Sequence, residues 1–342
     1  MSVEKLTYSK AGVDLGRHRK MHSIALKTAE ALSRKLGADI SGLGGFTPGI
    51  KVFGKKLVLH VDGVGTKTVV LRELGAMKVA GWDCVAMNAN DVACGGARLV
   101  AIADYIAMGV ADEEIFSEVV EGVAEAAEAV STPIVSGETA ILPGLLSGVD
   151  VVCFTAAIAE REFSNRAKAG DVAVGVESWG LHANGYSLVR KVVEERIGGY
   201  SKVVDGVELG VELAKPTAIY YNLLLKAIEL GYVTSATHIT GGGWTKMKRV
   251  LGSELDAVLE APKPSKIFEI LTSHGDIDLD EAYRVFNMGI GLILTSPPDR
   301  MRELLDLTVE MGFKPVVLGR IEDGSGSIKI KLSWRGDSYI EI

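Results

Sequence analysis

Leu57-Val-Leu-His-Val-Asp-Gly-Val-Gly-Thr-Lys67 is an apolar run that breaks directly into a glycine-containing turn. Its leucine and β-branched residues predict a buried strand, and Gly63 and Gly65 allow a tight turn at its end. The turn presents a carboxylate, Asp62, close to an ammonium, Lys67. Chemistry on a phosphate needs an acid that holds a divalent cation, and a base and backbone N–H groups that hold the oxygens. The stretch therefore predicts a strand with a phosphate site at its end.

The two common phosphate-binding fingerprints do not describe this turn. A Walker pattern would require glycine at Val61 and at Thr66. A dinucleotide fingerprint that begins at Gly63 would require glycine at its sixth position, where Thr68 stands. The turn is thus more particular than either motif.

Length and composition narrow the class of protein. A chain of 342 residues exceeds one typical core and predicts two domains. No apolar run approaches the about 18 residues of a membrane span, and residues 1–7 lack the pattern of a secretory leader. Cys84, Cys94 and Cys153 are too few and too widely spaced for a disulfide framework or a zinc site. These features predict a cytoplasmic protein without a membrane partner.

The charge balance argues against nucleic acid as a partner. The formal net charge is −7, and no basic stripe outweighs the acids. The short basic run at 17–20 is explained by a solvated helix face.

Strands and helices alternate in the first half, and a second alternation begins after the polar segment 160–166. The first half predicts strands over 57–61, 133–135 and 149–158 and a helix over 113–129. The near-continuous apolar run 149–158 predicts burial on both faces. The second half predicts strands over 172–176, 291–295, 316–320 and 327–332, and helices opening at 215–216 and spanning 244–251, 265–273 and 299–311.

The expected fold is therefore α/β or α+β with two domains. We place the boundary near residue 165, which gives an N-terminal domain of residues 1–165 and a C-terminal domain of residues 166–342.

Five polar segments are expected at the ends of these elements, where a rigid scaffold usually carries functional groups. They are residues 62–67, 88–91, 136–139, 181–187 and 237–243. The first three contain Asp62, Asp91 and Glu138. Ligation by oxygen alone favours Mg²⁺ over zinc, although each acid taken singly also fits a helix cap or a turn.

The last two polar segments add an anion-binding candidate and a histidine. Gly241-Gly-Gly243 precedes a predicted helix, which makes it either an anion site of free N–H groups or a plain loop. We expect His182 to be exposed and to act as an acid, a base or a phosphate contact, or else to be structural. The glycine-rich residues 42–49 fit a nucleotide cover or an ordinary loop.

Taken in order, these motifs resemble those of the phosphoribosylformylglycinamidine cyclo-ligase family, also called AIR synthetase. The matching stretches are 11–14, 42–46, 62–67, 90–91, 104–105, 137–140 with 143–144, 181–190, 238–243 and 283–287. They span nearly the whole chain in the family's order and at about its spacing.

The resemblance implies an ATP-dependent ring closure on formylglycinamidine ribonucleotide. It implies Mg²⁺ on Asp62, Asp91 and Glu138, with Lys67 assisting the transferred phosphoryl group. His182 is then a substrate contact or proton-transfer group with Asn184 beside it, and His238 holds a phosphate together with the glycine run. The implied nucleotide- and phosphate-binding residues are Gly44, Gly45, Phe46, Gly63, Gly65, Thr66, Asn90, Asn184, His238, Thr240, Gly241, Gly242 and Gly243.

The resemblance also implies a homodimer whose N-terminal sheets combine into a barrel-like core, and it leaves open whether K⁺ is needed. The chain departs from the family pattern at three places. Tyr8-Ser-Lys10 stands where Tyr-Lys-Asp is common, Ile141 and residues 142–146 lack an acid and a tyrosine, and Phe46 is not followed by glycine. Two alternatives stay open: a kinase similar to thiamine-monophosphate kinase, and a nucleotide-binding paralogue without catalysis.

Overall fold

A computed structural model describes residues 5–43 and 45–342 of the chain, so Gly44, a predicted nucleotide contact, lies outside the described residues. Within these residues the strands form two large mixed sheets and one small ribbon. Of the helices in the same residues, none combines the length and the apolarity that crossing a membrane requires.

The first sheet is built from the N-terminal half of the chain. Its strands are β1 (Ile40–Ser41), β2 (Gly49–Val52), β3 (Lys55–Gly63), β4 (Arg98–Met108), β5 (Ile134–Ile141) and β6 (Val149–Ala159). They lie in the order β1-β2-β3-β6-β4-β5, and only β4 and β5 run parallel among these neighbours in the described chain. The accompanying helices are α1 (Leu15–Leu36), α2 (Lys67–Glu73), α3 (Lys78–Cys94) and α4 (Glu113–Ala129).

The second sheet is built from the C-terminal half. Its strands are β7 (Val172–Glu177), β10 (Ser235–His238), β11 (Leu255–Glu260), β12 (Ile290–Ser296), β13 (Pro315–Asp323), β14 (Ile328–Leu332) and β15 (Ser338–Glu341), in the order β10-β12-β7-β13-β11-β14-β15. The ribbon pairs β8 (Val203–Val204) with β9 (Val207–Glu208). The helices are α5 (Tyr186–Val192), α6 (Leu209–Leu213), α7 (Tyr221–Glu229), α8 (Lys248–Leu251), α9 (Lys266–His274), α10 (Leu279–Val285) and α11 (Met301–Glu310).

The predicted fold class is confirmed, and several predicted elements are found. The strand predicted at 57–61 is part of β3, and the helix predicted at 113–129 is α4, which Asp112 caps by accepting a hydrogen bond from the Ile115 N–H at 3.0 Å. The segment predicted as a helix over 244–251 is instead a 3₁₀ turn, Gly243–Met247, followed by the short α8. The domain boundary near residue 165 stays a prediction.

The prediction of a helix that begins at Lys215-Pro216 is wrong, because α7 begins only at Tyr221. The backbone of this segment is used in tertiary hydrogen bonds instead. The Lys215 carbonyl accepts from Lys67 Nζ at 2.7 Å, and the Thr217 N–H donates to Asp83 at 2.6 Å. These bonds hold the segment against α3 in a non-helical conformation.

The prediction that β6 is buried on both faces is also wrong. Val151 and Cys153 are fully buried, whereas the residues that alternate with them are more exposed: Val152 is partly exposed and Phe154 is 48% exposed. The helix α3 lies on one face of the sheet, and α4 packs against α3. The other face is left uncovered within the described chain, which gives the alternation of a one-sided sheet.

The crossing of α3 and α4 depends on two glycines. A Cβ at Gly122 would lie 1.9 Å from the Lys78 carbonyl oxygen, and one at Gly81 would lie 2.0 Å from the Val119 carbonyl oxygen. Because both obstacles are backbone atoms, Gly122→Ala must separate the helices, and we expect it to lower the free energy of unfolding by about 3 kcal/mol. Urea denaturation measures this effect.

The matched control for this prediction is Gly148→Ala. A Cβ there would meet no heavy atom within 4 Å. We expect no loss of stability in this variant, and equal stability of Gly122→Ala and the wild type would refute the close-packing explanation.

Candidate functional site

Helix α3 connects the two halves of the protein through its polar side chains. Asp83, Met87 and Asn90 follow one another at helical spacing on one face. Asn90 Oδ1 accepts from the Tyr220 N–H at 2.7 Å, and Asn90 Nδ2 donates to the Ala218 carbonyl at 2.8 Å. Both amide atoms of Asn90 thus bind the segment before α7, and its predicted contact with nucleotide finds no support in this arrangement.

The adjacent face of α3 carries Asn88 and Asp91 toward β3. Asn88 forms a hydrogen bond with His60 Nδ1 at 2.8 Å and donates to the Asp62 carbonyl at 3.2 Å. Asp91 Oδ1 lies 2.7 Å from His238 Nδ1, and Asp91 Oδ2 lies 3.7 Å from His60 Nε2. Strand β3 and strand β10 therefore deliver their polar residues to the same end of α3.

The carboxylates of Asp62 and Asp91 are brought together at this point. Burial and the negative charge of Asp91 raise the pKa of Asp62. Burial also opposes ionisation of Asp91, but the charge of Lys246 and the hydrogen bond from His238 outweigh it and lower the pKa of Asp91. Two carboxylates that disfavour each other's charge fit a divalent cation, and Mg²⁺ often takes only one or two protein carboxylates besides phosphate and water.

Glu138 does not join these two acids. Across the sheet, Asp62 of β3 pairs with Cys153 of β6, Cys153 pairs with Asp104 of β4, and Asp104 pairs with Gly137 of β5. Glu138 therefore lies three strands away, about 14 Å at the usual spacing of sheets, and as the neighbour of Gly137 it points to the opposite face. In the described part of the chain, no group of three or more His, Cys, Asp or Glu side chains is arranged to hold a metal ion.

This separation has a local cause. The segment 136–139 was expected to follow a strand, but it lies inside β5, which continues to Ile141 by parallel pairing with β4. The structure therefore does not bring together the three acids predicted from the sequence, since Glu138 lies apart from Asp62 and Asp91.

Lys67 is the second departure from the predicted site. Its side chain is fully buried, and its ammonium donates to Asp83 Oδ2 at 2.6 Å and to the Lys215 carbonyl at 2.7 Å. Burial lowers the pKa of Lys67, while the charge of Asp83 opposes this shift. The ammonium joins α2, α3 and the segment before α7, so its predicted contact with phosphate finds no support in this arrangement.

The turn after β3 meets the fourth polar segment. Gly63 donates its N–H to the Asp62 carboxylate at 2.8 Å, and exposed Thr66 lies 3.1 Å from Ser187, oxygen to oxygen. Asn184, in the same segment, lies beside Gly241, where a Cβ would approach its amide oxygen to 3.2 Å. The first, fourth and fifth polar segments thus form one continuous wall.

His182 is buried, not exposed as predicted. Its Nε2 accepts long hydrogen bonds from the Trp179 and Ala218 N–H groups, at 3.3 and 3.4 Å, which leaves the ring proton on Nδ1. That Nδ1 has no hydrogen-bond partner among the described residues. Burial, and next the charges of His238 and Lys67, lower the pKa of His182 well below its usual value. His182 is therefore a neutral donor in a buried position.

The glycine run 241–243 has a packing role at its last position. A Cβ on Gly243 would lie 2.2 Å from the Tyr283 carbonyl oxygen, so only glycine lets this turn approach α10. The Gly243 N–H already donates to the Thr240 carbonyl at 2.8 Å. Among the described residues, the N–H groups of this run that donate to no acceptor are those of Gly241 and Gly242.

Sequence reasoning missed two residues that the structure places in the site, His60 and Lys246. His60 precedes Asp62 by two positions in a strand, and this spacing alone puts both on one face. Lys246 follows the glycine run, and its ammonium lies 5.8 Å from the ring centre of buried Phe46, with the Arg249 guanidinium 5.0 Å from the same centre. Gly45, next to Phe46, closes a turn by donating to the Gly42 carbonyl.

Comparison with known proteins identifies the class. The N-terminal domain of AIR synthase related proteins matches residues 49–159, and the C-terminal domain of the same proteins matches residues 168–331. The chain therefore belongs to the AIR synthase related family, as the resemblance of its motifs predicted.

Three curated relatives, each named phosphoribosylformylglycinamidine cyclo-ligase, are similar to the chain over nearly its whole length. The chain is 37% identical to that of Saccharolobus solfataricus, covering 93% of this chain and 94% of the relative. It is 36% identical to that of Sulfurisphaera tokodaii, with 94% and 96% covered, and 36% identical to that of Methanosarcina acetivorans, with 90% and 94% covered.

Solved structures share the fold at low sequence identity. A thiamine-monophosphate kinase from Stenotrophomonas maltophilia superposes with a TM-score of 0.61 at 18% identity, covering 89% of this chain and 93% of the kinase. Thermotoga maritima PurL complexed with FGAR gives 0.62 at 15% identity, covering 89% of this chain and 48% of PurL. These structures establish the architecture, while the cyclo-ligases supply the sequence relationship.

Proposed function

We propose that this chain catalyses the ATP-dependent closure of formylglycinamidine ribonucleotide to 5-aminoimidazole ribonucleotide. The observation that carries the proposal is the convergence of the polar segments of β3, α3 and β10 on the carboxylates of Asp62 and Asp91. The full-length similarity to proteins named cyclo-ligase supports the same reaction.

The chemistry explains why a phosphate site serves a ring closure. A formamide oxygen is a poor leaving group, so ATP transfers its terminal phosphoryl group to that oxygen and leaves as ADP. The amidine nitrogen then attacks the activated carbon, the carbon–oxygen bond breaks, and inorganic phosphate departs as the imidazole forms. A Mg²⁺ ion held by Asp62 and Asp91 would neutralise charge on the transferring group.

The remaining residues receive roles from their surroundings. His238 orients Asp91 through the bond between Nδ1 and the carboxylate. We assign His182 to substrate as a neutral donor through Nδ1, because its lowered pKa disfavours a proton-donating imidazolium. Nucleotide and phosphate groups are assigned to the wall formed by Gly45, Phe46, Gly63, Gly65, Thr66, Asn184, Thr240, Gly241 and Gly242. In this assignment residues 1–165 bind nucleotide and metal, and residues 166–342 bind the substrate.

The uncovered face of the first sheet supports a homodimer. Leu59, Val61 and Val135 are 66%, 55% and 63% exposed on strands of this sheet, with Phe154 beside them. An apolar patch of this kind on a protein that folds alone marks an interface. A second copy of the chain would cover it, and sedimentation equilibrium of the whole protein is expected to give the dimer mass, whereas a monomer mass at all concentrations would refute the proposal.

The test of function measures both products. Purified protein is incubated with Mg²⁺-ATP and formylglycinamidine ribonucleotide, and ADP release is followed together with colorimetric detection of the aminoimidazole. We expect equal amounts of both products, and none when either substrate is omitted or EDTA removes the metal. Phosphate transfer to thiamine monophosphate instead would establish the kinase alternative. ATP binding without either reaction would leave the non-catalytic paralogue.

A further inference from the structure

Lys246 is a cation in the site for which the described residues supply no direct partner. It lies in the 3₁₀ turn Gly243–Met247 and is half-buried. Its ammonium forms no hydrogen bond or ion pair with another residue that the structure describes, although it lies over the Phe46 ring. A half-buried ammonium that lacks hydrogen-bond acceptors is unfavourable unless something else supplies them.

The charged groups around Lys246 leave room for a ligand between its ammonium and the two carboxylates. Burial lowers the pKa of Lys246, and the charges of Asp91 and Asp62 oppose that shift. The ammonium is therefore close enough for both carboxylates to influence it, yet outside ion-pairing distance of either. The gap separates two acids, which suit a divalent cation, from an ammonium, which suits an anion.

The ring of Phe46 lies close to this ammonium and to a second cation. The ring is 5% exposed, and it is contacted by Lys246 Nζ at 5.8 Å and by Arg249 Cζ at 5.0 Å from its centre. Two cations on one ring repel each other, and the charge of Arg249 is a further cause of the lowered pKa of Lys246. An anion between these groups and the acids would relieve that repulsion.

We propose that Lys246 binds a phosphate of the nucleoside triphosphate beside Asp62 and Asp91. This assignment rests on the proposed function for its substrate and gives Lys246 the part that sequence reasoning gave to Lys67. Lys67 has two of its donors occupied in the core, whereas the ammonium of Lys246 has none occupied by a described residue. The chemistry recognised is a phosphate dianion, which both ATP and the ribose 5-phosphate of the substrate carry.

The experiment compares Lys246→Met with Lys248→Met, two residues further along. Lys248 is exposed and has no role in the site. Affinity for a non-hydrolysable Mg²⁺-ATP analogue is measured by calorimetry without the second substrate, after thermal denaturation has shown that each variant is folded. We expect about 10- to 100-fold weaker binding for Lys246→Met, which is the size of one lost charge-assisted hydrogen bond, and unchanged binding for Lys248→Met. Partial recovery is expected for Lys246→Arg.

Steady-state kinetics separates the two sources of phosphate. A higher KM for ATP with an unchanged KM for formylglycinamidine ribonucleotide is expected. A change confined to the KM of the ribonucleotide would overturn the nucleotide assignment in favour of the 5-phosphate, and unchanged affinity for the analogue in a folded Lys246→Met would overturn it altogether. Because the binding measurement needs no turnover, wild-type protein that binds the analogue but forms no aminoimidazole would refute the proposed function alone.

Discussion

Asp62→Asn is expected to lower kcat about 10²- to 10³-fold while leaving the protein folded, which is the size of effect seen when one preorganised electrostatic group is removed. In the wild type the Gly63 N–H donates to Asp62 Oδ1 at 2.8 Å. The asparagine keeps the size of the side chain and an oxygen that can accept this hydrogen bond. What is lost is one of two charges that would hold a metal ion against the transferring phosphoryl group.

The same substitution is expected to leave stability unchanged or higher in the absence of Mg²⁺. The pKa of Asp62 is raised in the folded state by burial and by Asp91, so the folded protein holds its proton to higher pH than the unfolded chain does. Stability from this group is therefore lost as pH rises through the folded-state pKa, and asparagine removes that loss. An inactive variant that melts no lower than the wild type excludes misfolding as the reason.

Two further variants test the two-acid site itself. If Asp62 and Asp91 hold one ion, the double variant with Asp91→Asn should be hardly less active than either single variant, since the first change already empties the site. Glu138→Gln should leave the Mg²⁺ concentration dependence of turnover unchanged, because Glu138 lies three strands away on the other face. An equal shift of that dependence in Glu138→Gln would restore the three-acid site.

Local sequence patterns were sufficient to predict an element where that element has one buried face. Helix α4 has apolar residues at a 3.6-residue period and a capping Asp112, so its bounds could be predicted from neighbours in sequence. Helix α3 escaped prediction because nearly all of its residues are buried and no polar face reveals the period. The element that carries most of the site was therefore the one with the least periodic sequence.

The remaining differences between the predicted and the observed site come from contacts between residues that are far apart in the sequence. Asp62 and Asp91 were singled out by residue type and position, and the structure places them close together. The place of Glu138 depends on the register of four strands. Lys67 looked free because its partners stand at Asp83 and Lys215, the second of them 148 residues away. No local signal in the sequence distinguishes such a buried lysine from one that binds phosphate. For the same reason, no local signal drew attention to Lys246.

Lys67→Met is expected to lower the free energy of unfolding by about 3–5 kcal/mol, the cost of leaving one member of a buried ion pair alone. Both members of the pair with Asp83 are fully buried, at 2.6 Å between Nζ and Oδ2. The methionine fills the volume of the lysine stem, so the loss comes from the charge on Asp83 and from the Lys215 carbonyl, which loses its donor. Guanidinium denaturation followed by circular dichroism measures the change.

Adding Asp83→Asn to Lys67→Met is expected to recover a large part of this loss. The asparagine carries no charge, and its amide oxygen can still accept the Thr217 N–H that Asp83 accepts at 2.6 Å. Lys78→Met, which removes an exposed ion pair with Glu125, is the matched control and should change stability little. A double variant less stable than Lys67→Met would show that the pair is not coupled through charge. Since the same bonds join α3 to the segment before α7, this ion pair is by itself a structural reason for a lysine at the end of the glycine-containing turn.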